Sequence, residues 1–170
     1  MTTDEPLPEV WTEKVVVGRL REGLSDIPGG EMMSGQGGAN AFGPADWGLV
    51  GRQRFQYGDF RFETERLVAV VEIDTAGGVT NLVKYWPYLA ARPDAVAGRR
   101  FLIAHVFASA SANDYISHLR LWDFVAERMR DDLAKFGLAY PTDWEARRFV
   151  GRDVALSVKE TVAFIREALE

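Results

Sequence analysis

LVAVVEIDTAGGVTNLVKYWPYL, Leu67 to Leu89, is the stretch whose reading decides the fold. It opens on an apolar, valine-rich run, Leu67 to Val71. Such a run suits a strand covered on both faces. The run ends in Glu72-Ile73-Asp74. Side chains two apart in a strand share a face, so Glu72 and Asp74 are expected to point the same way. Two acids at the end of a buried strand are costly unless a cation meets them. Gly77 and Gly78 then break the strand, and Asn81 to Leu89 reads as a helix that carries Lys84. The stretch therefore brings two acids and a lysine to one strand end.

Outward from this stretch, 170 residues fit a single domain, residues 1–170. A hydrophobic fraction of 47% with 12% aromatics is enough for a packed core. There is no cysteine, which excludes disulfides, thiolate metal sites and a cysteine nucleophile. The two histidines, His105 and His118, are too few for a histidine-rich metal site. No segment has the length or apolarity of a membrane span, so no membrane partner is expected. The acidic, proline-containing start, Met1 to Val10, is unlike a signal peptide. Together these features fit a cytoplasmic protein. A net charge of −5 argues against nucleic-acid binding by bulk electrostatics but allows a local basic groove.

The remaining elements follow from periodicity and punctuation. Residues 1–8 read as a flexible tail. Glu9 to Leu24 reads as a helix with Val10, Val15, Val17, Leu20 and Leu24 near helical spacing. Residues 26–48 hold seven glycines and two prolines and read as a long loop, a flap beside a site. Its GQGGAN segment lacks the GK[ST] of a phosphate loop and the preceding strand of a dinucleotide fingerprint. Leu49 to Phe55 and Asp59 to Phe62 read as two short, half-exposed strands about a turn at Tyr57-Gly58-Asp59. With the buried strand after Glu65-Arg66 they make a three-strand antiparallel meander. Arg99 to Ala108 is a second buried strand, placed parallel to the Leu67 strand because a helical crossover separates them. Residues 112–136 form the longest helix, with Asn113 as its N-cap and Gly137 as its stop. Its stripe Tyr115, Leu119, Trp122, Ala126, Met129, Leu133 and Phe136 is either core or the seam of a homodimer. Trp144 to Leu156 is ambiguous between strand and helix, and Ser157 to Leu169 closes the chain as a helix. The fold class is α/β, a small mixed sheet flanked by helices with a C-terminal helical part.

The order helix, three strands, helix, strand, with acids on the second and third strands, resembles the core of the PD-(D/E)XK, or restriction-endonuclease-like, nuclease superfamily. The resemblance runs from about Glu9 to Ala108. In that superfamily an Asp opens the second strand, and an acid, any residue and a lysine end the third. Gly58-Asp59 stands at the first position and Glu72-Ile73-Asp74 at the second, with aspartate in place of the lysine. The resemblance implies a Mg²⁺-dependent nuclease, with Asp59, Glu72 and Asp74 as metal ligands. Asp59, Glu72 and Lys84 are then the catalytic set, Lys84 taking the place of the missing motif lysine. It also implies a supporting Glu on the first helix, and Glu13 and Glu22 both qualify. Mg²⁺ takes hard oxygen ligands, and a bound metal with a nearby lysine suits phosphodiester hydrolysis.

Each of these residues also has a structural reading. Asp59 after a glycine is a common turn cap, and Glu72, Asp74 and Lys84 also suit a purely structural ion cluster. His105 reads as a core histidine and His118 as exposed. Tyr85, Trp86 and Tyr88 suit base stacking or core packing, and Arg52, Arg54, Arg61, Arg99 and Arg100 suit phosphate contacts or plain solvation. A different class of function, a catalytically inactive nuclease-fold scaffold binding nucleic acid or a partner protein, fits the missing lysine and the acidic charge.

Overall fold

A computed structural model describes residues 11–35, 37–74, 80–93, 96–108, 116–151 and 153–170. The 1–8 tail, the Gly77-Gly78 break, the Asn113 cap and Tyr115 lie outside them. Helix α1 (Glu13–Leu24) starts where the Thr12 hydroxyl accepts from Val15 N at 3.3 Å, which satisfies one of the amides that a helix start leaves over. Then come strand β1 (Glu31–Ser34), the short strands β2 (Ala41–Phe42) and β3 (Phe55–Gln56), β4 (Phe60–Glu63) and β5 (Leu67–Asp74). Helices α2 (Thr80–Val83) and α3 (Tyr85–Ala90) lead to β6 (Arg100–Phe107), α4 (Ile116–Leu133), β7 (Trp144–Val150) and α5 (Val154–Glu167).

The main sheet has the order β1-β4-β5-β6-β7. Pairs β1–β4 and β4–β5 are antiparallel, and β5–β6 and β6–β7 are parallel. The parallel placement of the two apolar strands agrees with the sequence reading. Strand β5 explains the layering. Leu67, Ala69, Val71 and Ile73 face one way and pack with Val16, Leu20 and Leu24 of α1 and Val154, Val158, Phe164 and Ile165 of α5. Val68 and Val70 face the other way and pack with Tyr85, Tyr88 and Leu89 of α3 and Trp122, Met129 and Leu133 of α4. Because both faces are covered, the strand needs an unbroken apolar run rather than an alternating one.

Several expectations are corrected. The 26–48 segment is not one loop, since it contains β1, β2 and two 3-10 turns. The first meander strand is β1, not Leu49–Phe55. The latter segment holds a 3-10 turn at Gly51–Gln53, and only Phe55–Gln56 pairs, with β2 in a separate sheet. Strand β4 is buried rather than half-exposed, because β1 closes its free edge and helices cover its faces. The 81–89 helix is interrupted at Lys84. Within 112–136 the described α-helix is Ile116–Leu133, followed by a 3-10 turn to Phe136, and Gly137 stops it with φ 76°. Trp144–Leu156 resolves into β7 and the first turn of α5, which begins at an Asp153 cap accepting from Leu156 N. The Trp122, Ala126, Met129 and Leu133 stripe of α4 is buried in the chain's own core. It is therefore not a seam for a second copy. His118 is half-buried rather than exposed.

Candidate functional site

The polar cluster sits where the α3–α4 face of the sheet reaches the C-terminal end of β5. Glu72 and Asp74 continue the row of Val68 and Val70, so they point into the same layer. Glu72 is only 2% exposed. Its partner is Lys84, at the α2–α3 junction, whose Nζ lies 2.6 Å from Glu72 Oε1. Tyr85, the next residue, donates its hydroxyl to the same oxygen. The interruption of the helix at Lys84 thus serves a contact, since consecutive residues both reach Glu72. Even so, burial pushes the Glu72 carboxyl above the ordinary range, outweighing the charge of Lys84 and both hydrogen bonds. The Tyr85 phenol is pushed well above its usual value by burial and by the carboxylate it serves.

Asp59 joins this cluster from the neighbouring strand. It stands one residue before β4, not on it. Its amide donates to Val71 O at 2.9 Å, and its Oδ2 accepts from Ile73 N at 2.7 Å. These bonds extend the β4–β5 ladder, which is the turn-cap reading made visible. They also set the carboxyl beside the others. Burial raises the Asp59 pKa, the Ile73 amide, Lys84 and His105 oppose the rise, and Asp74 adds to it. Asp59, Glu72, Asp74 and Lys84, separated by up to 25 positions in the sequence, therefore share one electrostatic environment.

The turn before Asp59 is built for close approach. Gly58 has φ 66°, and a Cβ there would meet Val71 O at 2.6 Å. Its carbonyl accepts from Gln56 Nε2 at 2.6 Å and from Asn40 Nδ2 at 3.3 Å. The small β2–β3 sheet is thereby tied to the site, and Phe42 anchors it with its ring 4.4 Å from Tyr57 and 4.6 Å from Tyr88.

Two supporting parts were not resolved by sequence reasoning. The first is the choice of helix acid. Burial first and then the negative charge of Asp59 raise the Glu13 pKa, so Glu13 is the helix acid that feels the site. Glu22 instead pairs with Arg19 at 3.3 Å on the surface. The second is His105, which lies beside Glu72 in the β5–β6 register and is fully buried. Trp122 Nε1 donates to its Nδ1 at 3.1 Å. An indole N–H only donates, so Nδ1 is the acceptor and Nε2 carries the ring proton. Nε2 has no hydrogen-bond partner and stands 3.9 Å from Asp74 Oδ2. The signal for this pair was a tryptophan in the middle of an apolar helix stripe, which needs an acceptor when buried.

Other candidates fall away. Tyr85 and Tyr88 are core residues, and the Trp86 indole donates to Asp132 at 2.8 Å. Arg61 and Arg99 both pair with Glu63, at 2.6 and 2.8 Å, and Arg100 pairs with Glu145 at 2.6 Å. Among the described residues no group of three or more acidic or histidine side chains is arranged to hold a metal ion, and no helix is long and apolar enough to cross a membrane. Comparison of the chain with family models, curated proteins and solved structures finds no match.

Proposed function

We propose that this chain is a Mg²⁺-dependent nuclease-like protein acting on phosphodiester bonds. The observation that carries the reading is Lys84 Nζ at 2.6 Å from Glu72, on the sheet face and at the strand end that Asp59 and Asp74 share. The element order α1, antiparallel β1-β4-β5, short helices, parallel β6 fits the restriction-endonuclease-like core that the sequence resembles. Lys84 fits the role of the motif lysine, supplied from the following helix rather than from the strand.

The donor chemistry suits magnesium. Asp59, Glu72 and Asp74 offer hard oxygens, and burial makes the charges of Asp59 and Glu72 costly even with Lys84 beside them. Those three are the residues that would hold the ion. Lack of a ready three-ligand cluster is compatible with Mg²⁺, which commonly takes one or two carboxylates together with waters and substrate phosphate oxygens. When bound, the ion supplies positive charge at the phosphate and lowers the pKa of a coordinated water. Lys84 contributes an ammonium held in place by Glu72, able to stabilise charge developing on the phosphate. Glu13 adds negative potential behind Asp59.

A second reading is favoured by the same contacts. Lys84 is already engaged by Glu72, and such a closed pair equally suits a scaffold that binds nucleic acid or a partner protein without cleaving. A cleavage assay on single- and double-stranded DNA and RNA with Mg²⁺ or Mn²⁺ separates the two. The nuclease reading expects metal-dependent cleavage that Asp59→Asn and Lys84→Met each reduce at least about 100-fold, the scale of losing a main charge-stabilising group. Undiminished cleavage by both folded variants contradicts it. No cleavage of any substrate by the wild type leaves the scaffold.

A further inference from the structure

Two exposed arginines, Arg52 and Arg54, stand on the 3-10 turn that leads into β3. We propose that the cleft between the β2–β3 sheet and the Gly51–Gln53 turn binds a single strand of nucleic acid and leads it toward Asp59. The inference rests on the nuclease-like reading for its direction but not for its chemistry.

The cleft has a volume of about 730 Å³. Arg52 and Arg54 line it, and among the described residues no acidic one does. Both arginines are exposed, and neither enters an ion pair or side-chain hydrogen bond among the described residues. Arg61, Arg99, Arg100, Arg147, Arg148 and Arg166 are by contrast all paired with acids. In a chain of net charge −5, a purely basic cleft is a local exception. It is suited to phosphate oxygens, since arginine offers a planar fork of donors.

The other walls favour a strand with open bases. Gly37, Gly38 and Gly51 bring bare backbone to the cleft, and a Cβ at each would meet nothing within 4 Å. The space they leave is open to a ligand backbone. Phe55 lines the cleft, and Trp47 packs edge-on against it at 5.9 Å. Trp47 is 47% exposed. An indole left this open, packed on a ring that lines the cleft, is a stacking surface for a base, and duplex bases keep their faces hidden. Asn40 adds a buried Oδ1 with no partner, an acceptor that a base amino group can fill.

The cleft is also wired to the site. Asn40 and Gln56, both in its wall, donate to the carbonyl of Gly58, the residue before Asp59. These two bonds tie the wall of the cleft to the turn that carries Asp59.

The test is fluorescence anisotropy with labelled single-stranded DNA and RNA of about 12 nucleotides, within the usual site size for such grooves, and with a duplex of equal length. Buffers contain EDTA, so that binding is read apart from cleavage. Wild type is expected to bind the single strands more tightly than the duplex. Trp47→Ala should weaken binding at least about 5-fold, the low end for loss of one stacked base. Arg52→Ala with Arg54→Ala should lower the salt slope by about 1.4, at roughly 0.7 per phosphate on a single strand. All three positions are exposed, and unchanged circular dichroism verifies folding. Equal binding by the variants, tighter binding to the duplex, or no binding by the wild type overturns the proposal. Any of these together with intact cleavage leaves the nuclease reading standing, and binding without cleavage retains the cleft on the scaffold reading.

Discussion

Burial makes the charge of Glu72 costly, and Lys84 and Tyr85 both meet it. Removing one partner of such a buried pair strands the other. Lys84→Met should therefore destabilise the fold by about 3–5 kcal/mol in urea titrations, while Glu72→Gln, which keeps an acceptor for Tyr85, should cost less. Asp59 shares the upward shift of Glu72. Its folded pKa lies above the ordinary value of 3.8 because burial outweighs its partners. A raised folded pKa means stability that is full below the unfolded pKa and lost as pH climbs through the folded one. Urea titrations should find that Asp59→Asn matches the wild type near pH 4 and gains on it toward pH 7. A purely structural cap would instead lose stability at neutral pH when its charge is removed. Much of this residue-scale picture was legible beforehand. An acid in the row of Val68 and Val70 demands a cation, and Lys84 is the lysine on the helix that follows. His105 with Trp122 was not legible, because the two meet only through the packing of α4 on β6, which no local spacing records.

At the scale of elements, the two parallel strands β5 and β6 were the plainest features, since strands covered on both faces carry continuous apolar runs. Strand β1 was hidden for the opposite reason. It is a four-residue edge strand, Glu-Met-Met-Ser, set among glycines and only partly buried, so neither composition nor alternation marks it. Leu49–Phe55 misled because apolar residues at both its ends and a turn just after it fit a strand, whereas Gly51 takes φ 52° and turns the chain. The close approach of the β3–β4 turn to β5 makes a specific demand at Gly58. Gly58→Ala should cost more than Gly35→Ala, as both glycines have positive φ but only Gly58 would drive its Cβ into Val71 O, while Gly35 faces open space. The left-handed conformation alone costs about 1–2 kcal/mol, so Gly35→Ala should lose that much in chemical denaturation and Gly58→Ala clearly more. Equal losses would mean that the close approach to β5 is unimportant.

For the whole molecule, helices α1 and α5 on one face and α2, α3 and α4 on the other leave the acid cluster at the C-terminal end of β5, with the small β2–β3 sheet beside it. Burial disfavours the charged forms of Asp59 and Glu72 even with Lys84 beside them, and a bound cation would relieve that cost. The direct measurement is thermal unfolding of the wild type and Asp59→Asn with and without Mg²⁺ or Mn²⁺. A ligand at ten times its Kd that binds only the folded state adds about 1.4 kcal/mol. That corresponds to a rise in Tm of roughly 3–5 °C for a domain of this size. The account predicts such a rise for the wild type and its loss in Asp59→Asn. Identical melting of both proteins with and without the ion, at saturating concentrations and in the presence of a single-stranded oligonucleotide, would contradict it.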